Sequence, residues 1–281
     1  MKKQQWITAG IAFVMVVCMY AATTSQIFGT HLKKPPVEAA GPNTVSADSI
    51  IAHAKENLTQ EQKSRAELLE ASISRGDVKS QKIHLYHQLS RFWSDTGRIF
   101  EPYAWYMAEA ARLENSENSL TFAAHLFLNN LRAEENPAIK EWKALQSKDL
   151  FERSLKVNPA NDSSQIGLGA VFLYGGIGSP MEGIQKIRTV ADLHPDNVYA
   201  QLTLGHASVL SGQLDKAVER FEQVVKVQPS NLEALLSLAE VYERKGDKAS
   251  AIKWYGKSLP HVRIEGLKDE VENRIAALKK K

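Results

Sequence analysis

Three groups of side chains in this 281-residue sequence have types and spacings that suggest chemistry. His84 and His87 stand at i, i+3, so on a helix they share a face. A metal site needs further acid, thiol or imidazole donors at ligand spacing, and none follows. The pair reads as solvated or hydrogen-bonded histidines. Gly167, Gly169, Gly175, Gly176 and Gly178 crowd together as in a phosphate loop. No strand pattern precedes them and no Lys-Ser/Thr pair follows, so that reading fails. Phe92, Trp93, Phe100, Tyr103, Trp105 and Tyr106 form an aromatic cluster, read as core filling rather than a ligand platform. Gly-x-Ser-x-Gly, HExxH and CxxC motifs are absent. The acids are interleaved with Lys and Arg, as on solvated helix surfaces. The expectation is no catalytic residue, no metal, no cofactor and no enzyme.

The elements that carry these residues follow from composition and period. Apolar residues make up 43% and charged residues 24%, a folded composition. The net charge of +3 is too slight to indicate nucleic acid. The one cysteine, Cys18, allows no intramolecular disulfide, so packing alone must hold the fold.

Residues 199–229 recur 34 positions on. Leu204 maps to Leu238, Gly205 to Ala239, Gly212 to Gly246, Ala217 to Ala251 and Phe221 to Tyr255. Going back, Pro229 maps to Pro195, Phe221 to Ile187 and Ala217 to Gly183. Leu168, Gly169 and Gly176 align at 36, which places two extra residues in the Tyr174–Pro180 loop. Small residues let two helix backbones approach, and large ones fill the space between. Gly212 and Gly246 suit left-handed caps. Pro159, Pro195 and Pro229 stop second helices. A period near 34 with helical apolar spacing marks a helical repeat array.

The run L-G-x(6)-G-x(4)-A-x(3)-F-x(7)-P at 204–229 resembles the tetratricopeptide repeat family. The resemblance is specific over 162–258, weaker over 83–161 and absent earlier. It implies an all-α solenoid of helical hairpins whose first helices line a concave groove. Carried over residue by residue, the groove face holds Ile166, Ala170, Leu173 and Tyr174. It continues through Tyr199, Leu202, His206, Val209 and Leu210 to Glu233, Leu236, Glu240, Glu243 and Arg244. Ile166, Leu202 and Leu236 share one repeat position and are expected to form an apolar line. Glu233, Glu240 and Glu243 would give it an acidic end. The Lys and Asn clamp by which some members of the family grip a C-terminal carboxylate is lacking. The expected ligand is a protein or peptide, as an amphipathic helix or an extended segment with a basic residue. The competing expectation is that the chain fills its own groove, for instance with residues 47–76.

Six regions are expected: 1–28 a transmembrane signal anchor, 29–45 a linker, 46–82 a helical hairpin, 83–161 divergent repeats, 162–265 the clear repeats, and 266–281 a capping helix. Trp6 to Phe28 is uncharged, and as a helix it would run about 34 Å, against a bilayer core of about 30 Å. Lys2 and Lys3 place the N-terminus in the cytoplasm and the repeats in the periplasm or outside, on a single-pass anchor in the cytoplasmic (inner) membrane. Lys33 and Lys34 keep the reverse orientation open, and the small residues Ala21, Ala22, Thr23 and Ser25 keep a cleaved signal peptide open. Pro35, Pro36, Gly41 and Pro42 make the linker extended. Leu267, Val271, Ile275 and Leu278 give the last helix one apolar stripe. The reading is a membrane-tethered, non-catalytic scaffold. Its alternatives are an assembly factor like the membrane-bound repeat subunits of cytochrome c maturation, and an envelope enzyme with an unfamiliar site.

Overall fold

The computed structural model describes residues 45–75 and 78–280. The anchor and all but the last residue of the linker lie outside them. Among the described residues, no helix is long and apolar enough to cross a membrane.

The described chain folds as thirteen α-helices, with no strand. They are α1 (Ala47–Glu56), α2 (Gln60–Arg75), α3 (Lys79–Phe92), α4 (Phe100–Glu114), α5 (Glu117–Leu131), α6 (Pro137–Val157), α7 (Asp162–Tyr174), α8 (Pro180–Leu193), α9 (Val198–Leu210), α10 (Leu214–Val227), α11 (Leu232–Arg244), α12 (Lys248–Ser258) and α13 (Glu265–Lys280). A π-helical turn at Trp93–Gly97 ends α3, and a 3-10 turn at Leu259–His261 follows α12. From α3 onward the helices pair as hairpins: α3 with α4, α5 with α6, α7 with α8, α9 with α10 and α11 with α12.

Within a hairpin, the close approach is set by missing side chains. A methyl group at Gly205 would come 2.5 Å from Phe221 Cε1, and one at Gly169 would meet the Gly183 carbonyl oxygen at 2.7 Å. Phe221 and Ile187 are fully buried at these crossings. Burial of such a side chain stabilises the fold by about 1.5–3 kcal/mol. Gly212 and Gly246 have φ of 74° and 79°, so the turns out of α9 and α11 take the left-handed conformation that favours glycine.

The first helices share one start signal. Asn161, Asn197 and Asn231 each accept a hydrogen bond from the backbone N–H three residues on, at 2.8, 3.1 and 3.0 Å. This satisfies one of the orphan donors of each helix. The second helix α2 opens with a reciprocal box: Thr59 N–H donates to Gln62 Oε1 (2.9 Å) and Gln62 N–H to Thr59 Oγ1 (3.3 Å).

The N-terminal part departs from the hairpin expected over 46–82. α1 packs chiefly on α4 and α2 chiefly on α3. Ile51, Ala54, Leu58, Ala66, Leu89, Phe92, Trp93 and Tyr106 bury together in one core that spans all four helices. Lys55 Nζ also reaches Glu70 Oε2 (2.5 Å), which ties α1 to α2 at the edge of that core. Of the aromatic cluster, Phe92, Trp93 and Tyr106 are buried, and Phe100, Tyr103 and Trp105 are half-buried against the cores.

One polar feature anchors the divergent region. The Lys143 side chain is 1% exposed, and its Nζ donates to Glu101 (2.7 Å), Glu134 (2.6 Å) and Asn130 Oδ1 (2.5 Å). A buried lysine is tolerated only when its charge is matched in this way. The cluster joins α4, α5, α6 and the turn at Glu134.

At the C-terminal end, Val271 of α13 is buried, and Leu267, Ile275 and Leu278 are half-buried against the core of the last hairpins. The stripe covers apolar surface that a following repeat would otherwise cover.

Candidate partner-binding groove

Four first helices, α5, α7, α9 and α11, present their side chains on one face. Asn161 and Thr121 link α7 to α5 (3.2 Å), and His125 Nε2 lies 2.9 Å from Ser163 Oγ. Asn197 Nδ2 donates to Asp162 (3.2 Å). His206 Nε2 lies 2.8 Å from Glu233 Oε1, which joins α9 to α11.

The face is strongly curved. The His125 ring on α5 stands edge-on to Tyr199 on α9, with centroids 5.7 Å apart. Arg132, just past α5, lies over the Tyr174 ring at 4.8 Å. It also draws on the Glu233 carboxylate at the start of α11. The His125–Tyr199 contact skips a whole repeat, so the first helices converge here. Side chains of the chain itself therefore fill the middle of the groove. Burial pushes the Tyr174 and Tyr199 hydroxyls above their ordinary range, so both stay protonated. Burial also lowers the His125 imidazole. The Glu233 carboxyl is held below its usual range, first by the hydrogen bond from His206.

The expected site residues divide accordingly. Ile166 is fully buried and Ala170 is 2% exposed, so both belong to the core rather than to an accessible line. The apolar line is reduced to Leu202 and Leu236, both half-buried. Tyr174, Tyr199, His206 and Val209 are also half-buried. The expected acidic end is altered as well. Glu233 is engaged by His206, and Glu243 accepts from Arg274 (Nε–Oε2 2.9 Å, with a second contact from Nη2) and from Tyr255 Oη (3.2 Å). Glu240 is exposed and has no ion-pair partner among the described residues.

The open part of the face is at its C-terminal end. A cleft of about 490 Å³ lies between α11 and α13, with Tyr255 of α12 at its floor. Leu236, Leu267 and Val271 supply apolar wall, and Glu240, Glu270 and Arg244 supply charge. No residue of 47–76 lines it. Arg132, Glu270 and Arg274 were missed by sequence reasoning, because each is brought in from an element outside the three clear repeats. The Asn161, Asn197 and Asn231 caps were a missed signal that the sequence does carry, at the repeat spacing.

His84 and His87 are engaged separately: His87 Nε2 lies 2.7 Å from Glu114 Oε1, and His84 Nε2 lies 2.9 Å from Gln88 Nε2. The glycines at 175–178 form the turn between α7 and α8.

A profile of the tetratricopeptide repeat matches residues 202–260. That segment covers α11 and α12 with most of the preceding hairpin. Residues 202–260 belong to the tetratricopeptide repeat family. Cellulose synthase operon protein C of Escherichia coli K12 is 36% identical over 69 residues, which is 24% of this chain and 6% of that protein. Its counterpart in Escherichia coli O157:H7 matches to the same extent, so the chain spans only about 6% of the length of these curated relatives. Among solved structures, a tetratricopeptide repeat protein from Parabacteroides merdae superposes with a TM-score of 0.54 at 14% identity. The match covers 83% of this chain and 87% of that one. The type IV pilus biogenesis factor PilW gives 0.51 at 18% identity, covering 71% and 87%. At these identities the tetratricopeptide likeness concerns the fold alone.

Proposed function

We propose that the chain is a non-catalytic scaffold that holds a protein or peptide partner on the first-helix face of its repeats, tethered by an N-terminal membrane helix with the repeats outside the cytoplasmic membrane. The observation that carries the binding part is the cleft between α11 and α13. It continues the first-helix face, has an apolar wall of Leu236, Leu267 and Val271, and is open where the middle of the groove is filled. Apolar wall with a few polar groups is the usual makeup of a recognition cleft. The tether rests on the Trp6–Phe28 sequence alone.

Leu202 and Leu236 are half-buried, so aspartate there tests the face directly. The expected result for the pair L202D/L236D is loss of partner capture with helix content retained. Retained capture would remove the groove reading. The tether is checked separately by protease access in intact spheroplasts, where protection of the repeats would refute the outward orientation.

A further inference from the structure

We infer that the cleft between α11 and α13 receives a lysine or arginine side chain of the partner; this rests on the groove reading above. Five charged residues line the cleft: Glu240, Glu243, Arg244, Glu270 and Arg274. Glu243 and Arg274 neutralise one another, since the guanidinium bonds both carboxylate oxygens. Tyr255 Oη donates to the same carboxylate and holds the pair against the wall. Glu240 and Glu270 remain, one from each helix, both exposed and neither in an ion pair among the described residues. Arg244, the last residue of α11, is the one cation left to oppose them, and a cation there is already favoured by the carbonyl end of its helix.

The uncommitted charge of the cleft is therefore negative, over an apolar wall. That combination matches a long basic side chain. Its methylenes would lie along Leu236, Leu267 and Val271, and its cation would sit between Glu240 and Glu270. An acidic side chain would meet two carboxylates, and a purely apolar one would desolvate them without recompense. Neither competing occupant from the chain itself reaches the cleft: α1 and α2 pack on α3 and α4, and the aromatic side chains fill the groove nearer α7 and α9.

The test is a phage library of random decapeptides panned on the full chain and on the E240Q/E270Q variant. Both glutamates are exposed, so the variant is expected to keep its fold, which circular dichroism checks. The inference expects Lys or Arg enriched at least fivefold at one position of the peptides selected by the unaltered chain. In E240Q/E270Q that enrichment disappears, while the apolar positions of the consensus persist. Selected peptides without basic enrichment, or with the same enrichment on the variant, overturn the inference and leave the groove reading standing. If no peptide is selected by either form, the groove reading falls and the inference falls with it.

Discussion

The ring of His125 stands edge-on to that of Tyr199 at 5.7 Å, although a complete helical hairpin separates them in sequence. His125 also stands edge-on to Phe151, at 5.0 Å. The contact measures how tightly the first helices curl, and it half-buries an imidazole.

That burial has a pH consequence. Burial holds the His125 imidazole below its ordinary pKa of 6.5, because a half-buried ring solvates its charged form less well. An unfolded chain binds the proton at about pH 6.5, whereas the folded chain resists it. Stability from this source is therefore full above about pH 6.5 and declines as pH falls toward the lower folded value. The prediction is a melting temperature that drops across this window, with a smaller drop in His125→Phe. Thermal melts from pH 7.5 to 5 check it, and equal slopes in both proteins would contradict it.

Gly205 and Phe221 set a second prediction. A methyl at Gly205 would lie 2.5 Å from the Phe221 ring, which is fully buried and has little room to retreat. Gly205→Ala is expected to destabilise by about 1–3 kcal/mol, the usual range for overpacking a core. A methyl at Gly256 would stand in open space, so Gly256→Ala should not destabilise. Urea denaturation of both variants makes the comparison.

Lys143 sets a third. Removing the ammonium leaves Glu101 and Glu134 facing each other without their cation. Breaking a buried pair from one side costs about 3–5 kcal/mol, and because both glutamates keep partial solvent contact we expect about 3 kcal/mol for Lys143→Met. Adding Glu101→Gln and Glu134→Gln should recover part of the loss. No recovery in the triple variant, read by urea denaturation, would mean that lost packing rather than unmatched charge dominates.

How much of this was readable beforehand differs by region. The hairpins at 162–260 were legible because each repeat uses the same small and large residues at the same crossing, Gly205 against Phe221 and Ala239 against Tyr255. The region around Lys143 was not, since its three polar partners come from two helices and a turn whose period has drifted, and a lysine in a helix reads as solvated. The groove was half legible. The residue positions followed from the period, but Ile166 and Ala170 are buried by neighbouring helices, Ile166 among Ile187, Val190, Ala200 and Leu204, and how closely those helices approach is not encoded in local spacing. The acidic end was misread for a similar reason: Arg274 comes from a helix outside the repeats and engages Glu243. The same helix supplies Glu270, which re-forms an acidic cleft at a different place.

The central claim is that the first-helix face holds a partner. Photoreactive residues at Leu202, His206 and Leu236, in membranes carrying the full chain, test it most directly, with equivalents at exposed Lys226 and Lys253 on the second helices as controls. The account predicts one discrete adduct from the three groove positions, absent from the two controls and lost with L202D placed beside the Leu236 probe. Adducts of equal yield from both sets of positions, or none from the groove, would contradict it.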